Sequence, residues 1–370
     1  MKRTSLNFGL QLLVLLGCAL PAWAADTITM GTLLDEMVDR SRLARLPDPS
    51  YTCKQSSSYD RGATSPKKKE SWFANMDRSH FIRMEEREGR KEYVLMDADG
   101  PGAVVRFWAT WHGPGGGEFS NGMLHVYLDG ADKPVIEKHI VDVIDKGALT
   151  TGPLSESVSP LTPYRWRGHN LYLPIPYAKH CKITYSADVL IDVGGRMGEA
   201  LYYQINYRTY GKDVKVEPFS MASLEKYRSA IDRVQKKLLN PEPAEGKNAK
   251  SEKADGTLDP GDSHDTEIDG PAAITELSLA IEADDLDQAL RSTIIEMTCD
   301  GERTVWAPVG DFFGLGHKMA PCKTWYTQVT EDGKMSCFWV MPFAESCKIT
   351  LHNLGNQPVT VREGEAKYND

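Results

Sequence analysis

A chain of 370 residues is longer than one hydrophobic core normally serves, so length alone predicts two domains. Its 43 Lys and Arg against 52 Asp and Glu leave a formal charge of −9, which argues against nucleic acid or an anionic membrane as the main partner, because both need clustered cations. The single basic run, "PKKKE" at Pro66–Glu70, reads as a solvated loop.

The first residues read as a targeting segment. Met1-Lys2-Arg3 is a charged start and "FGLQLLVLLGCAL" an apolar stretch too short for a comfortable membrane span. Ala22-Trp23-Ala24 fits a small-x-small cleavage site. A signal peptide over 1–24 is therefore expected, with the mature chain beginning at Ala25 and exported to a periplasmic or extracellular location. "LLGC" also fits a lipoprotein box at Cys18, but the apolar Ala19-Leu20-Pro21 that follows favours simple cleavage.

Downstream, "SSSYDR" brings Tyr59, Asp60 and Arg61 together, and "RFWATWHGP" adds Arg106, Trp108, Trp111 and His112. Period-two patterns then dominate: "MLHVYLDG", "KITYSADVLIDV" and "ALYYQINYRTY" in the first half, "RSTIIEMTCDG" and "KMSCFWVMPF" in the second. Two words recur at a similar offset. "IPYAKHCKIT" at Ile175–Thr184 returns as "MPFAESCKIT" at Met341–Thr350, and the Asp-Gly of "LHVYLDG" returns in "IIEMTCDG". A duplicated unit follows. The expected fold is all-β: two jelly-roll β-sandwiches over 25–220 and 271–370, joined by a helix.

That helix is expected over 221–239, where Leu224, Tyr227, Ile231, Val234 and Leu238 form an apolar stripe ending before Pro241. The stripe can cover its own sandwich or a neighbouring subunit. The polar stretch over 240–270 holds almost no large apolar residue and reads as a flexible linker.

Outside the leader stand Cys53, Cys181, Cys299, Cys322, Cys337 and Cys347. An even number in an exported chain admits a disulfide framework, but Cys181 and Cys347 occupy the same place in the repeated word, as small core residues would. No C-x-x-C or H-x-x-x-H pair supports zinc, and no metal or other cofactor is expected. A cupin-like metal site would have to gather His80, His112, His125, His139 and His180.

No nucleophile elbow, Walker loop or dinucleotide fingerprint occurs, and "GPGGGE" at Gly113–Glu118 lacks the ending of a phosphate loop. What remains is carboxylates beside aromatics at strand ends, densest in "CDGERTVWAPVGDFFGLGH" with Asp300, Glu302, Trp306, Asp311 and His317. Paired carboxyl groups beside flat rings suit sugar chemistry, one acid protonating the leaving oxygen while the other attacks or activates water. Asp129 and Asp300 read as turn residues, Trp108 and Trp339 as core, and Asp60 with Arg61 admits a local ion pair. Glu302 stands out because the matching first-half hairpin continues "DGADK". His112 and His317 are open between loop hydrogen bonding and substrate contact.

The words "LARLPDPSYTCKQSSSYDR", "EYVLMDADGPGAVVRFWATWHGP", "LYLPIPYAKHCKITY", "DGERTVWAPVGDFFGLGH" and "CFWVMPFAESCKITLHNLG" resemble glycoside hydrolase family 172, from about Leu33 to about Asn356 apart from the linker stretch. The resemblance implies a double jelly roll assembled as a homotrimer or hexamer. It also implies retaining exo-hydrolysis of α-D-fructofuranosides or D-arabinofuranosides by two glutamates, without metal. On that footing Glu302 is one catalytic carboxylate and Asp311 the candidate partner, with Glu118 and Glu282 as alternatives. Tyr59, Asp60, Arg61, Trp111, His112 and Trp306 are the candidate substrate contacts. The competing reading is an envelope glycan-binding or structural protein without turnover.

Overall fold

The computed structural model describes residues 27–157, 161–241 and 249–369. The expected signal peptide, the Cys18 box and the cleavage site lie outside the described residues. Two antiparallel β-sandwiches account for most of the chain, each with its own hydrophobic core, so the all-β, duplicated jelly-roll expectation holds.

In the first sandwich one sheet runs in the order Tyr51–Ser57, Ala200–Tyr210, Gly102–His112, His169–Leu171 and Ser155–Ser157. The facing sheet runs Arg83–Arg87, Arg90–Asp99, His180–Ser186, Met123–Leu128 and Ile136–His139. Side-chain alternation sets which residues meet between them. Phe107, Ala109, Trp111, Leu201, Tyr203 and Ile205 point inward from one sheet, and Leu124, Val126, Cys181, Ile183 and Tyr185 from the other.

The second sandwich repeats this plan. Ser263–Asp269, Ser346–Asn353, Thr293–Cys299 and Glu302–Pro308 form one sheet, and the long Ala272–Glu282 and Val359–Asn369 strands centre the other. Equivalent registers confirm the duplication: His180 pairs with Asp99 as Ser346 pairs with Asp269, and Cys181 pairs with Leu128 as Cys347 pairs with Cys299. A further repeated mark, Asp-Gly-Pro at 99–101 and 269–271, precedes the long inner strand in both halves.

The repeated words have a physical cause. Asp129-Gly130 and Asp300-Gly301 are two-residue turns in which both residues have positive φ, where Gly is the unstrained choice at the second position. The Asp129 carboxylate accepts the backbone N–H groups of Lys179 at 2.6 Å and His180 at 3.1 Å. Asp300 accepts those of Ala344 at 2.9 Å, Glu345 at 2.7 Å and Ser346 at 3.2 Å. Each hairpin tip thus clamps the turn inside the Pro-aromatic-Ala word of its own half, so the two words are retained together.

The helical expectation is corrected in detail. Two helices, Met221–Lys226 and Arg228–Leu239, meet at a break at Tyr227, which lies at φ −106 and ψ 15. Ile231 and Val234 are buried in the first core beside Leu34 of the Met30–Met37 helix, so the stripe covers its own sandwich. That first helix starts where Thr29 and Thr32 exchange hydrogen bonds in a capping box.

The linker expectation is corrected as well. Within 240–270, residues Lys250–Lys253, Gly256–Leu258 and Ser263–Asp269 are strands, the first two pairing with Val359–Asn369 and the third with Ser346–Asn353. Residues 242–248 lie outside the described residues. Low hydrophobicity hid these strands because they are outer ones that need few apolar residues: Lys250–Lys253 is exposed throughout, and in the other two Leu258 and Ile268 are the buried apolar positions.

A buried cation joins the halves. Arg40, 6% exposed, places its guanidinium 4.0 Å from the Trp325 ring centre and 4.9 Å from that of Phe338, while its Nε donates to the Trp325 carbonyl at 3.0 Å. Both aromatic partners belong to the second sandwich, and Trp325 packs on the first core.

Candidate functional site

The site grows from the end of the Tyr51–Ser57 strand. Its ladder with Ala200–Tyr210 ends at Ser57 opposite Gln204. Ser58 then donates its N–H to the Tyr203 carbonyl, and its hydroxyl accepts the Tyr203 N–H, both at 3.1 Å. Beyond it the chain leaves the sheet as a loop that returns at Arg78–His80. Ser79 anchors the return by donating its N–H to the Leu201 carbonyl at 2.9 Å and its hydroxyl to the Glu199 carbonyl at 2.7 Å.

Asp60 staples the loop across its base. One carboxylate oxygen accepts the Gly62 N–H and the other the Met76 N–H, each at 2.8 Å. The Met76 and then the Gly62 N–H hold this carboxyl below the usual aspartate range, so it is a fixed anion. Arg61 does not pair with it. Its guanidinium lies 3.8 Å from the Tyr59 ring centre and donates to the Ser57 carbonyl at 2.9 Å, fixing the half-exposed tyrosine.

Under this loop is a cleft of about 390 Å³. Tyr59, Asp60, Asn75 and Asp77 contribute from the loop; Trp108, Thr110, Tyr202 and Gln204 form the floor on the outer sheet face. Trp108 lies across the ladder from Gln204, and Thr110 from Tyr202. The arrangement offers aromatic surface, amide and hydroxyl donors and acceptors, one clamped carboxylate and one exposed carboxylate, Asp77.

The sequence-derived candidates separate. Tyr59 and Asp60 line this cleft, and Arg61 supports it from behind. Trp111 does not belong to it: the side chain is 7% exposed and stacks on His169 at 4.3 Å and Phe119 at 5.2 Å, inside the core. The tryptophan expected in the core, Trp108, is the cleft residue. Alternation carries the signal, since Trp108 shares its face with the polar Arg106, Thr110 and His112, and Trp111 shares its face with Phe107 and Ala109. His112 borders the cleft through Tyr202 and uses Nδ1 on the Gly113 carbonyl at 2.8 Å.

In the second sandwich Glu302 directly follows the Asp300-Gly301 turn and is exposed, lining neither this cleft nor the cavity that holds Asp311. Asp311 lies in the first turn of the short Val309–Phe312 helix, ion-paired to Arg291 at 2.5 Å. Its cavity, about 370 Å³, is walled by Phe312, Thr324, Tyr326 and Trp339. Trp339, expected in the core, is 50% exposed there. Trp306, 48% exposed, packs instead against His352 and Arg303 on the hairpin. Among the described residues, Glu302 and Asp311 share neither of these two cavities: Glu302 opens the strand that runs back along the hairpin, and Asp311 is turned to its arginine. Of the alternative acids, Glu282 is paired to Arg362 at 2.6 Å and Glu118 is exposed.

Residues 49–227 match the model of the GH172 first beta-sandwich domain, and residues 248–365 match a GH172 domain-like model. The chain belongs to glycoside hydrolase family 172. Its two matched segments coincide with the two sandwiches, and the strands over 250–269 fall inside the second. No curated protein matches the chain.

Three solved structures are similar at low level. The major capsid protein P2 of bacteriophage PM2 is 10% identical, covering 78% of this chain and 98% of its own with a TM-score of 0.23. The PBCV-1 virus capsid is 8% identical, covering 86% and 94% with a TM-score of 0.18. The CBM32-1 and CBM32-2 domains of ZmpB from Clostridium perfringens are 9% identical, covering 89% and 96% with a TM-score of 0.16. Scores this low carry no weight for function.

Family 172 membership suggests a glycoside-hydrolase-like role. Retaining hydrolysis needs two carboxyl groups about 5–5.5 Å apart, one of them able to carry a proton. Both oxygens of Asp60 are occupied by backbone N–H groups and its proton affinity is lowered, so it suits binding a hydroxyl better than donating a proton. Asp77 is then the one uncommitted acid among the cleft residues.

Among the described residues no three His, Cys, Asp or Glu side chains converge as a metal cage. The histidines a cupin-like site would need are dispersed, with His125 beside Ser186, His139 on the Asn121 carbonyl and His180 on Asp97. No helix among the described residues is long and apolar enough to cross a membrane.

Proposed function

We propose that this family 172 protein recognises a terminal furanosyl unit of a glycan in the first-sandwich cleft. Trp108 and Tyr59 offer flat surface to the ring's C–H groups, and Asp60, Asn75, Asp77 and Gln204 offer partners to its hydroxyls. The observation that supports this reading is the coincidence, in one cleft of about 390 Å³, of the exposed Tyr59 ring and the half-buried Trp108 ring with a carboxylate held as an anion by backbone N–H groups.

Family membership favours a second reading, in which the bound unit is hydrolysed with retention of configuration. That reaction needs a second free carboxyl group beside Asp77, or Glu302 reaching a sugar held by another protomer. In the same reading the protein is exported, binds its glycan outside the cytoplasm and assembles as a trimer or hexamer.

Incubating the protein with D-arabinofuranosides and α-D-fructofuranosides, while following both bound ligand and released monosaccharide, separates the readings. Binding without release supports recognition alone. Release that disappears in Glu302→Gln or Asp77→Asn supports hydrolysis and names the acid. Neither binding nor release removes both readings.

A further inference from the structure

Cys299 and Cys347 face each other across two neighbouring strands with their sulfur atoms 3.0 Å apart. Asp300 donates its backbone N–H to the Ser346 carbonyl, which makes that pair a hydrogen-bonded one, so the adjacent Cys299–Cys347 pair is the non-hydrogen-bonded kind. Cα atoms of such pairs stand about 4.5 Å apart, inside the span of about 4.4–6.8 Å that a disulfide requires. The first sandwich has no counterpart, because the residue opposite Cys181 is Leu128. The remaining cysteines do not form such a pair: Cys53 is an exposed strand residue, and Cys337 and Cys322 lie on the other sheet of this sandwich.

We propose that Cys299 and Cys347 form a cross-strand disulfide that locks the base of the Asp300-Gly301 hairpin to the turn it clamps. Cys299 is the half-buried member and meets the oxidant, while Cys347 is fully buried behind it. With a disulfide as oxidant, the Cys299 thiolate attacks one of its sulfurs and releases one thiol. Cys347 then gives up its proton and attacks the Cys299 sulfur, expelling the second thiol. Two thiols are oxidised, one disulfide is reduced, and the sulfurs close by about 1 Å to reach bonding distance. The bond sits directly below the three backbone N–H contacts of Asp300, so it holds Glu302 and its hairpin in register.

The test uses the full folded protein equilibrated with oxidised glutathione, then unfolded in guanidinium with iodoacetamide and mapped by mass spectrometry without reductant. The expected result is label on Cys53, Cys181, Cys322 and Cys337, with the Cys299 and Cys347 peptides recovered linked and two hydrogens lighter. Recovery of both Cys299 and Cys347 carrying label, or of either linked to another cysteine, overturns the proposal. Thermal unfolding supplies a second readout. The oxidised protein should melt higher than the same sample after dithiothreitol, and the difference should vanish in Cys299→Ser and in Cys347→Ser. An unchanged melting temperature on reduction of the mapped, linked protein removes the stabilising role.

Discussion

Asp129 and Asp300 occupy equivalent hairpin tips in the two sandwiches, and each carboxylate accepts backbone N–H groups from the turn of the repeated word in its own half. Their role is structural. Backbone N–H groups, first that of Ala344 and then that of Glu345, hold the Asp300 carboxyl below the usual range. A carboxyl whose folded-state pKa is depressed stabilises fully above its unfolded value, about 4, and that gain is lost as pH falls through the lower folded value. Asp300→Ala should lower the melting temperature by a few degrees at neutral pH. The gap between variant and parent should close below about pH 4, as followed by circular dichroism.

Arg40 predicts how the halves depend on each other. A desolvated guanidinium between two aromatic rings contributes about 1–2 kcal/mol. Arg40→Ala should reduce stability by about that amount and speed proteolysis between the sandwiches, and Arg40→Lys should restore little because an ammonium lacks the planar stacking surface. Chemical denaturation and limited trypsinolysis check both.

Trp111 and Trp108 should differ sharply in what their removal costs. Trp111→Ala removes a fully packed ring and should cost about 3–5 kcal/mol. Trp108→Ala opens only a cleft floor and should leave the melting temperature within a degree or two. Differential scanning calorimetry of the two variants distinguishes core from cleft without any ligand.

The Asp60 staple makes the cleft sensitive to acid. Its pKa is lowered by the Met76 and Gly62 N–H groups, so the stabilisation it gives the loop is full at neutral pH and is lost as pH drops through the folded value. Asp60→Ala should leave the sandwich folded while raising amide exchange over residues 61–77, with glycan affinity reduced at least tenfold. Hydrogen exchange and a binding titration measure the two effects separately.

Much of this was legible in the sequence, and the failures are local. Period-two alternation and the repeated words identified two sandwiches because the hairpin clamp ties distant residues of each half to one another. The strands over 250–269 were hidden because outer strands need so few apolar residues. The cleft was half legible: "SSSYDR" marked Tyr59 and Asp60, but the floor comes from Trp108 and from Tyr202–Gln204, joined only by the ladder between distant strands. The polar Arg106, Thr110 and His112 mark the outer face that Trp108 shares, and Phe107 and Ala109 the inner face of Trp111. Glu302 and Asp311 are near in sequence, but Glu302 opens the Glu302–Pro308 strand and Asp311 lies in the helix beyond its far end, so the extended strand holds them apart.

The most direct test is a calorimetric titration of a D-arabinofuranosyl oligosaccharide into the parent protein, Trp108→Ala and Trp339→Ala. The account predicts saturable binding to the parent, affinity at least tenfold weaker for Trp108→Ala, and no change for Trp339→Ala. Undiminished binding by Trp108→Ala, with loss in Trp339→Ala, would contradict it and move the site to the Asp311 cavity.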